Sequence, residues 1–237
     1  QVTSTNTLAV EWAGSDAADG SVVCAEVQTA GRGRFDRTWT ARKGDNLTFS
    51  LILFPGLAAD RLGMISVAFS VAIAATVNNL VRPKQVEIKW PNDILIEGAK
   101  VCGMLQESAF PSGGGRKRVV VGIGLNINQT TFPPGIRDRA TSLKIMAGRE
   151  YDRIEILASL LTRMEDSYYA LHRGRGSVLR AKYEANLSAL GREVTFVNPA
   201  NGAKASGIVT GIDSRGGLVL ATAAGRQTIL AGDVSFS

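Results

Sequence analysis

The chain's chemistry is concentrated in seven consecutive residues, Gly31-Arg32-Gly33-Arg34-Phe35-Asp36-Arg37. They follow an apolar run from Val22 to Val27 that reads as a buried strand, and they precede Trp39. Glycine lets backbone approach a ligand closely and adopt conformations other residues resist. Arginine supplies permanent charge and a planar fork of donors that matches carboxylate and phosphate. A loop of this type at the end of a strand suits the clamping of an anionic nucleotide, and a solvated basic turn is the plainer alternative. It is not a Walker loop, because no Gly-Lys-Ser/Thr follows, and the third glycine of a dinucleotide fingerprint is absent.

Other chemistries lack parts. The single histidine, His172, falls near the end of a long helical pattern and reads as structural, so neither a Ser-His pair nor a zinc site can be assembled. No metal-ligating cluster is expected. Cys24 and Cys102 sit far apart in apolar segments, with no C-x-x-C spacing, and read as buried reduced thiols of a cytoplasmic protein. The chain of 237 residues carries a net charge of +6 and a pI near 9.6, which suits anionic substrates without specifying nucleic acid. Its one dense basic run, Arg116-Lys117-Arg118, follows Gly113-Gly114-Gly115 and reads as a solvated hairpin tip. The most apolar stretch, Leu62 to Val77, is shorter than the ~20 residues of a membrane span and reads as a core helix.

The elements that must position the loop can be taken in order. Ser4-Thr5-Asn6 offers N-caps for a helix through Leu8 to Trp12. Val22 to Gln28 reads as a strand. In Asn46 to Phe54, Leu47, Phe49, Leu51 and Leu53 alternate with Thr48 and Ser50, which predicts a strand with one face wholly buried. A deeply packed helix follows over Leu62 to Asn79. Strands are expected at Val86 to Trp90, Ile94 to Ile96, Val101 to Glu107 and Val119 to Asn128, with Asn92-Asp93 and Glu97-Gly98 as turns. Gly122 and Gly124 inside the last strand imply close packing against a neighbour, or approach of a ligand. Asp152, with Glu155 three residues on, starts a helix whose stripe runs from Ile154 to Leu171. A shorter helix spans Ser177 to Ala189. From Gly191 the texture changes to short strands, Glu193 to Val197, Lys204 to Ile212, Leu218 to Ala221 and Gln227 to Leu230. They are broken by turns that include Asn198-Pro199 and Asn201-Gly202, as in a small all-β barrel.

The run STN, QTAGRGR with Trp39 behind it, KWPND, K-x-x-G-M-L-x-E and GIGLNIN, in that order over the first ~130 residues, resembles biotin–protein ligase, also called biotin–[acetyl-CoA-carboxylase] ligase. The resemblance covers essentially the whole chain. It implies an α+β fold, a mixed β-sheet with packed helices of the class II synthetase-like type, plus a small C-terminal SH3-like β-barrel. Residues 1–189 would form the biotin- and ATP-binding catalytic domain and residues 190–237 the SH3-like domain. The implied reaction has two steps: biotin and ATP, with Mg2+, give biotinyl-5′-AMP, and the acyl group then passes to a lysine of a biotin carboxyl carrier domain. By resemblance, Ser4, Thr5, Asn6 and Gln28 line the pocket for biotin's ureido ring, and Gly31, Arg32, Gly33 and Arg34 close over the acid. Arg32, Arg34 and Lys100 offset charge gathering at the α-phosphate. Trp39 and Asn126 take the adenine side, with Asn92 and Asp93 near ribose, phosphate and metal. Lys100, Arg34 and Asp93 carry the catalytic expectation. Asp93 would accept or steer the proton of the acceptor amine, whose free pKa is ~10.4; a structural turn carboxylate is the alternative.

Two departures stand out. Asp36 occupies a position where the family usually has glycine, and no helix-turn-helix precedes the catalytic pattern, so neither repressor activity nor DNA binding is expected. No membrane association is expected either, and the chain reads as a monomer or a homodimer. A lipoate or octanoate ligase is the nearest rival, although its RR-x-x-GGG-type motif is absent. A basic nucleic-acid module is the rival from another class, weakened by few aromatics and no base-reading helix face.

Overall fold

The computed structural model describes residues 1–35, 37–111, 115–197 and 204–236. The expectations for Asp36, Gly113-Gly114, Asn198-Pro199 and Asn201-Gly202 fall outside the described residues. The chain divides into two compact units. The first comprises 1–56, 77–85 and 95–159, and the second 57–76, 86–94 and 160–237.

In chain order, the elements begin with α1 (Thr5–Ala13), β1 (Ser21–Cys24), β2 (Leu47–Leu53) and α2 (Gly63–Val81). Then come β3 (Val86–Lys89), β4 (Asp93–Ile96), β5 (Ala99–Ala109) and β6 (Arg118–Leu125), followed by α3 (Leu143–Ala147), α4 (Arg153–His172) and α5 (Gly176–Glu184). The C-terminal strands are β7 (Glu193–Val197), β8 (Lys204–Ile212), β9 (Leu218–Thr222), β10 (Gly225–Ile229) and β11 (Asp233–Phe236). The larger sheet has the order β1-β2-β6-β5-β4-β3 and the smaller one β10-β9-β8-β7-β11. This is the expected mixed architecture of sheets and helices. The smaller sheet is antiparallel throughout. Among the described residues no pairing joins β10 to β11, and barrel closure is not seen. β11 has no counterpart in the sequence reading, because Asp233-Val234-Ser235-Phe236 is short and alternates only twice.

In the first unit, β2 pairs antiparallel with β6, and β6 with β5. The registers set three rows of residues across one face of the sheet. These are Ile52–Val120–Glu107, Ser50–Gly122–Leu105 and Thr48–Gly124–Gly103. Helix α1 covers the first row, its Ala9 and Ala13 packing with Ile52 and Val120. Small residues at four-residue spacing let the helix settle closely on the strands. The alternation in β2 therefore does not mark a solvent face. All seven of its residues are buried, the polar Thr48 and Ser50 included.

The strand expected at Val22 to Gln28 splits in two. β1 pairs with β2, and residues 27–30 turn away to run beside Val2 and Thr3, through Val2 N to Val27 O at 3.0 Å and Thr29 N to Val2 O at 2.9 Å. Glu26 is the break. Its carboxylate accepts from Arg153 Nη1 at 2.9 and 3.0 Å and from Gly44 N at 3.0 Å. The bond from Arg153 holds this carboxyl below the usual range. Cys24 corrects the expectation of two buried thiols, because it ends the short edge strand β1 and is exposed, whereas Cys102 is buried.

Helix α4 starts as predicted, with Asp152 Oδ1 accepting from Ile154 N at 2.7 Å and Glu155 N at 3.3 Å. His172 meets the edge of the Tyr168 ring at 4.6 Å, a packing role. The helical run Ala59–Val81, 23 residues, is longer than its sequence suggested and apolar enough to cross a membrane, but 67% of its most apolar window is buried inside the protein. In the second unit Trp90 Nε1 donates to Gly216 O at 3.0 Å. Tyr183 there is fully buried, and burial, then the Asp93 charge, pushes its hydroxyl pKa upward.

Candidate active site

The site grows from the N-terminus of α1. Ser4 is extended and caps the helix, its hydroxyl accepting from Thr7 N. The first turn of a helix has N–H groups without intrahelical partners. Gln28 supplies one, its Oε1 accepting from Thr5 N at 2.7 Å and from Thr5 Oγ1 at 3.1 Å. The path of residues 27–30 beside Val2 and Thr3 carries Gln28 to that position. Ser50, fully buried on β2, contacts Thr5 Oγ1 at 2.8 Å and donates to Asn6 Oδ1 at 2.6 Å. Asn6 Nδ2 donates to Leu105 O at 3.2 Å and Glu107 Oε2 at 2.8 Å. Glu107 Oε2 also accepts from Arg32 Nη2. Six side chains from four segments thus form one polar chain.

Gly122 makes this network possible. A methyl group there would come within 2.0 Å of Asn6 Oδ1. Along the same strand, a methyl group on Gly124 would lie 2.1 Å from Trp39 Cε2, and its cross-strand partner Gly103 leaves space for the same ring and for Lys100 Nζ. Both strand glycines therefore serve close packing, and what packs on them are residues already singled out for the site. The indole nitrogen of Trp39 is buried with no hydrogen-bond partner among the described residues, and Lys100 Nζ lies 5.8 Å from the ring centroid.

The arginine loop closes on itself. Arg32 bridges Thr38, Gly33 N donates to Arg37 O at 2.6 Å, and Trp39 N donates to Gly31 O at 3.0 Å. Gly31 is pressed against Trp39 O, which a methyl group would meet at 2.3 Å. Among the described residues of the loop, Phe35 is left-handed, with φ of 53°. The Arg34 guanidinium lies 4.8 Å from the Phe35 ring centroid.

Asn126 Nδ2 donates to Thr141 O at 3.0 Å, while Thr141 N donates to Lys100 O at 2.8 Å. Asn126 is thereby joined to Lys100 through the backbone of one residue and braces the segment that begins β5. Asn92 and Asp93 are partly buried and belong to the second unit, in the turn after β3 and at the start of β4. Among the described residues no group of three His, Cys, Asp or Glu is placed to hold a metal ion.

The structure gathers Thr5, Asn6, Gln28 and Arg32 in one network, with Ser4 capping the same helix, Gly31 packed against Trp39 and Gln28, and Trp39, Lys100 and Asn126 beside it. Sequence reasoning missed Ser50, Glu107 and Thr141. Ser50 was visible as a serine inside a hydrophobic strand, and Glu107 as the last residue of the K-x-x-G-M-L-x-E run.

Known proteins place this arrangement. The sequence profile of the Biotin/lipoate A/B protein ligase family matches residues 1–126, and that of the Biotin protein ligase C terminal domain matches residues 189–237. The Biotin--[acetyl-CoA-carboxylase] ligase of Mycobacterium tuberculosis is 34% identical over 235 residues, covering 98% of this chain and 84% of that protein. The Bifunctional ligase/repressor BirA of Bacillus spizizenii is 33% identical over 235 residues, covering 98% of this chain and 71% of its own. Among solved structures, the biotin protein ligase from Aquifex aeolicus in complex with biotin and ATP superposes with a TM-score of 0.84 at 29% identity, covering 100% of this chain and 95% of the other. This chain belongs to the biotin/lipoate A/B protein ligase family.

Proposed function

We propose that the protein activates biotin with ATP, taken as its magnesium complex, and transfers the biotinyl group to a lysine of a biotin carboxyl carrier domain. The observation that carries this reading is the polar chain from Gln28 through Thr5, Ser50, Asn6 and Glu107 to Arg32, which ends at the arginine loop. The relatives' names and the biotin and ATP of the Aquifex complex support it.

In the first step a biotin carboxylate oxygen bonds to the α-phosphorus and the bond to pyrophosphate breaks. Negative charge gathers there, and preorganised cations lower the barrier by stabilising it. Lys100 and Arg34 take that role. The Ser4–Asn6 and Gln28 groups hold the uncharged ureido ring, Trp39 packs against the adenine side, and Asn126 keeps Lys100 in place through Thr141. In the second step a neutral lysine amine attacks the acyl carbon, AMP leaves and the amine loses a proton. Asp93 enters as acceptor of that proton from its place in KWPND, with Asn92 beside it. Cys24 and Cys102 are not joined in a disulfide, which fits a cytoplasmic enzyme. We assign residues 1–189 to catalysis and 190–237 to an SH3-like C-terminal module.

The test is incubation with MgATP and a carrier domain, offering biotin, lipoate or octanoate in separate reactions, with the carrier's mass as readout. Gain of a biotinyl group alone supports the reading. Gain of a lipoyl or octanoyl group instead assigns the chain to the other branch of its family.

A further inference from the structure

We infer that Glu107 is a positioning residue of the biotin site, holding Arg32 of the loop against the Asn6 end of the polar network. The inference rests on the biotin reading. Glu107 and Leu105 lie two residues apart on β5 and so share a face, opposite Val120 and Gly122 of β6. Asn6 stands over Gly122 on that face. Its amide orientation is forced, because Oδ1 faces the Ser50 hydroxyl while Nδ2 faces Leu105 O and the carboxylate. The single oxygen Oε2 of Glu107 takes both Asn6 Nδ2 and Arg32 Nη2.

The side chains of Arg32 and Glu107 are 47% and 33% exposed. An ion pair at that exposure adds little stability. Its consequence is geometric and electrostatic instead. A guanidinium carries five N–H groups in one plane, and fixing Nη2 fixes the plane in which the others are offered. The acid also offsets the charge of Arg32, which suits an end of the site that holds an uncharged ureido ring. The cations that answer the ligand's carboxylate are then Lys100 and Arg34.

Glu107→Gln isolates the effect, because glutamine's Oε1 can still accept from Asn6 while the charge facing Arg32 is gone. Calorimetric titration with biotin and biotin-dependent ATP–pyrophosphate exchange are run on wild type, Glu107→Gln, Arg32→Ala and the double variant. The expected result is a biotin Kd about tenfold higher in Glu107→Gln, with kcat moving less than about threefold and the melting midpoint within about 3 °C. In the Arg32→Ala background the same change should alter Kd by less than about twofold, the non-additivity of two residues acting as one. Wild-type affinity in Glu107→Gln, or an undiminished penalty in the Arg32→Ala background, overturns the inference while leaving the biotin reading intact. Failure of the wild type to bind biotin overturns that reading, and the inference falls with it.

Discussion

Gly124→Ala places a methyl group where the Trp39 indole lies. The added carbon would sit 2.1 Å from Cε2, 2.4 Å from Cζ2 and 2.5 Å from Nε1. Carbon atoms pack at about 3.5–4.0 Å, so the ring would have to withdraw by more than about 1 Å. A simple tilt does not suffice, because the three atoms met belong to both fused rings. Overpacking of this kind typically costs about 1–3 kcal/mol, equivalent to roughly 5- to 150-fold in an equilibrium constant. Because Trp39 N is bonded to Gly31 O, the disturbance passes directly to the arginine loop. Biotin-dependent ATP–pyrophosphate exchange should therefore lose about 10- to 100-fold in kcat/KM for ATP, and the tryptophan emission should shift as the ring leaves its slot. Gly135→Ala, where an added carbon meets nothing within 4 Å, is the matched control and should retain activity within about twofold. Wild-type exchange rates and unshifted emission in Gly124→Ala would refute the reasoning, because the indole could not then occupy that face of the sheet.

Lys100→Ala should slow adenylate formation by at least ~10²-fold, the scale of losing one preorganised charge stabiliser; pyrophosphate release at the wild-type rate with saturating biotin and ATP would remove Lys100 from the mechanism. Ser50→Ala leaves Asn6 Oδ1 without its buried donor, at a cost of about 1–3 kcal/mol, so biotin titration should show an affinity weaker by about tenfold; unchanged affinity would separate Ser50 from the site. Asp213 is raised by burial, but bonds from Arg215 N, Gly217 N and the Arg215 guanidinium outweigh this and hold its pKa below the ordinary 3.8. A depressed carboxylate contributes stability above its unfolded pKa and loses it as pH falls through the folded value. Asp213→Ala should thus lower the melting temperature at pH 7, with the gap to wild type closing below about pH 4; a gap independent of pH would rule out the ionised form as its source.

The parts of the fold that repeat a period were legible in the sequence. The stripe of α4 from Leu160 to Leu171 and its Asp152 cap, the alternation of β2 and the glycines of β6 each reflect a single local rule, whereas Ile154, expected to begin that stripe, is exposed and Ile156 is buried in its stead. The ambiguity lay in what an alternation faces. Thr48 and Ser50 look like solvent residues until the start of α1, 45 residues before Ser50 at Thr5 but near in space, is seen to set Thr5 and Asn6 against the Ser50 hydroxyl. Glu26 broke a strand where its carboxylate meets Gly44 N and Arg153, the latter far along the chain. The site followed the same pattern. Arg32, Lys100 and Trp39 stand out by residue type and motif. Ser50, Glu107 and Thr141 act by register and backbone geometry, which a sequence read one segment at a time does not reveal.

Mass analysis of a carrier domain after incubation with the protein, biotin and MgATP tests the central claim most directly. The account predicts addition of one biotinyl group to the carrier, dependent on both biotin and ATP and lost when the acceptor lysine is replaced by arginine. An unmodified carrier from folded protein at saturating biotin and ATP, or a carrier modified only when lipoate or octanoate replaces biotin, would contradict it.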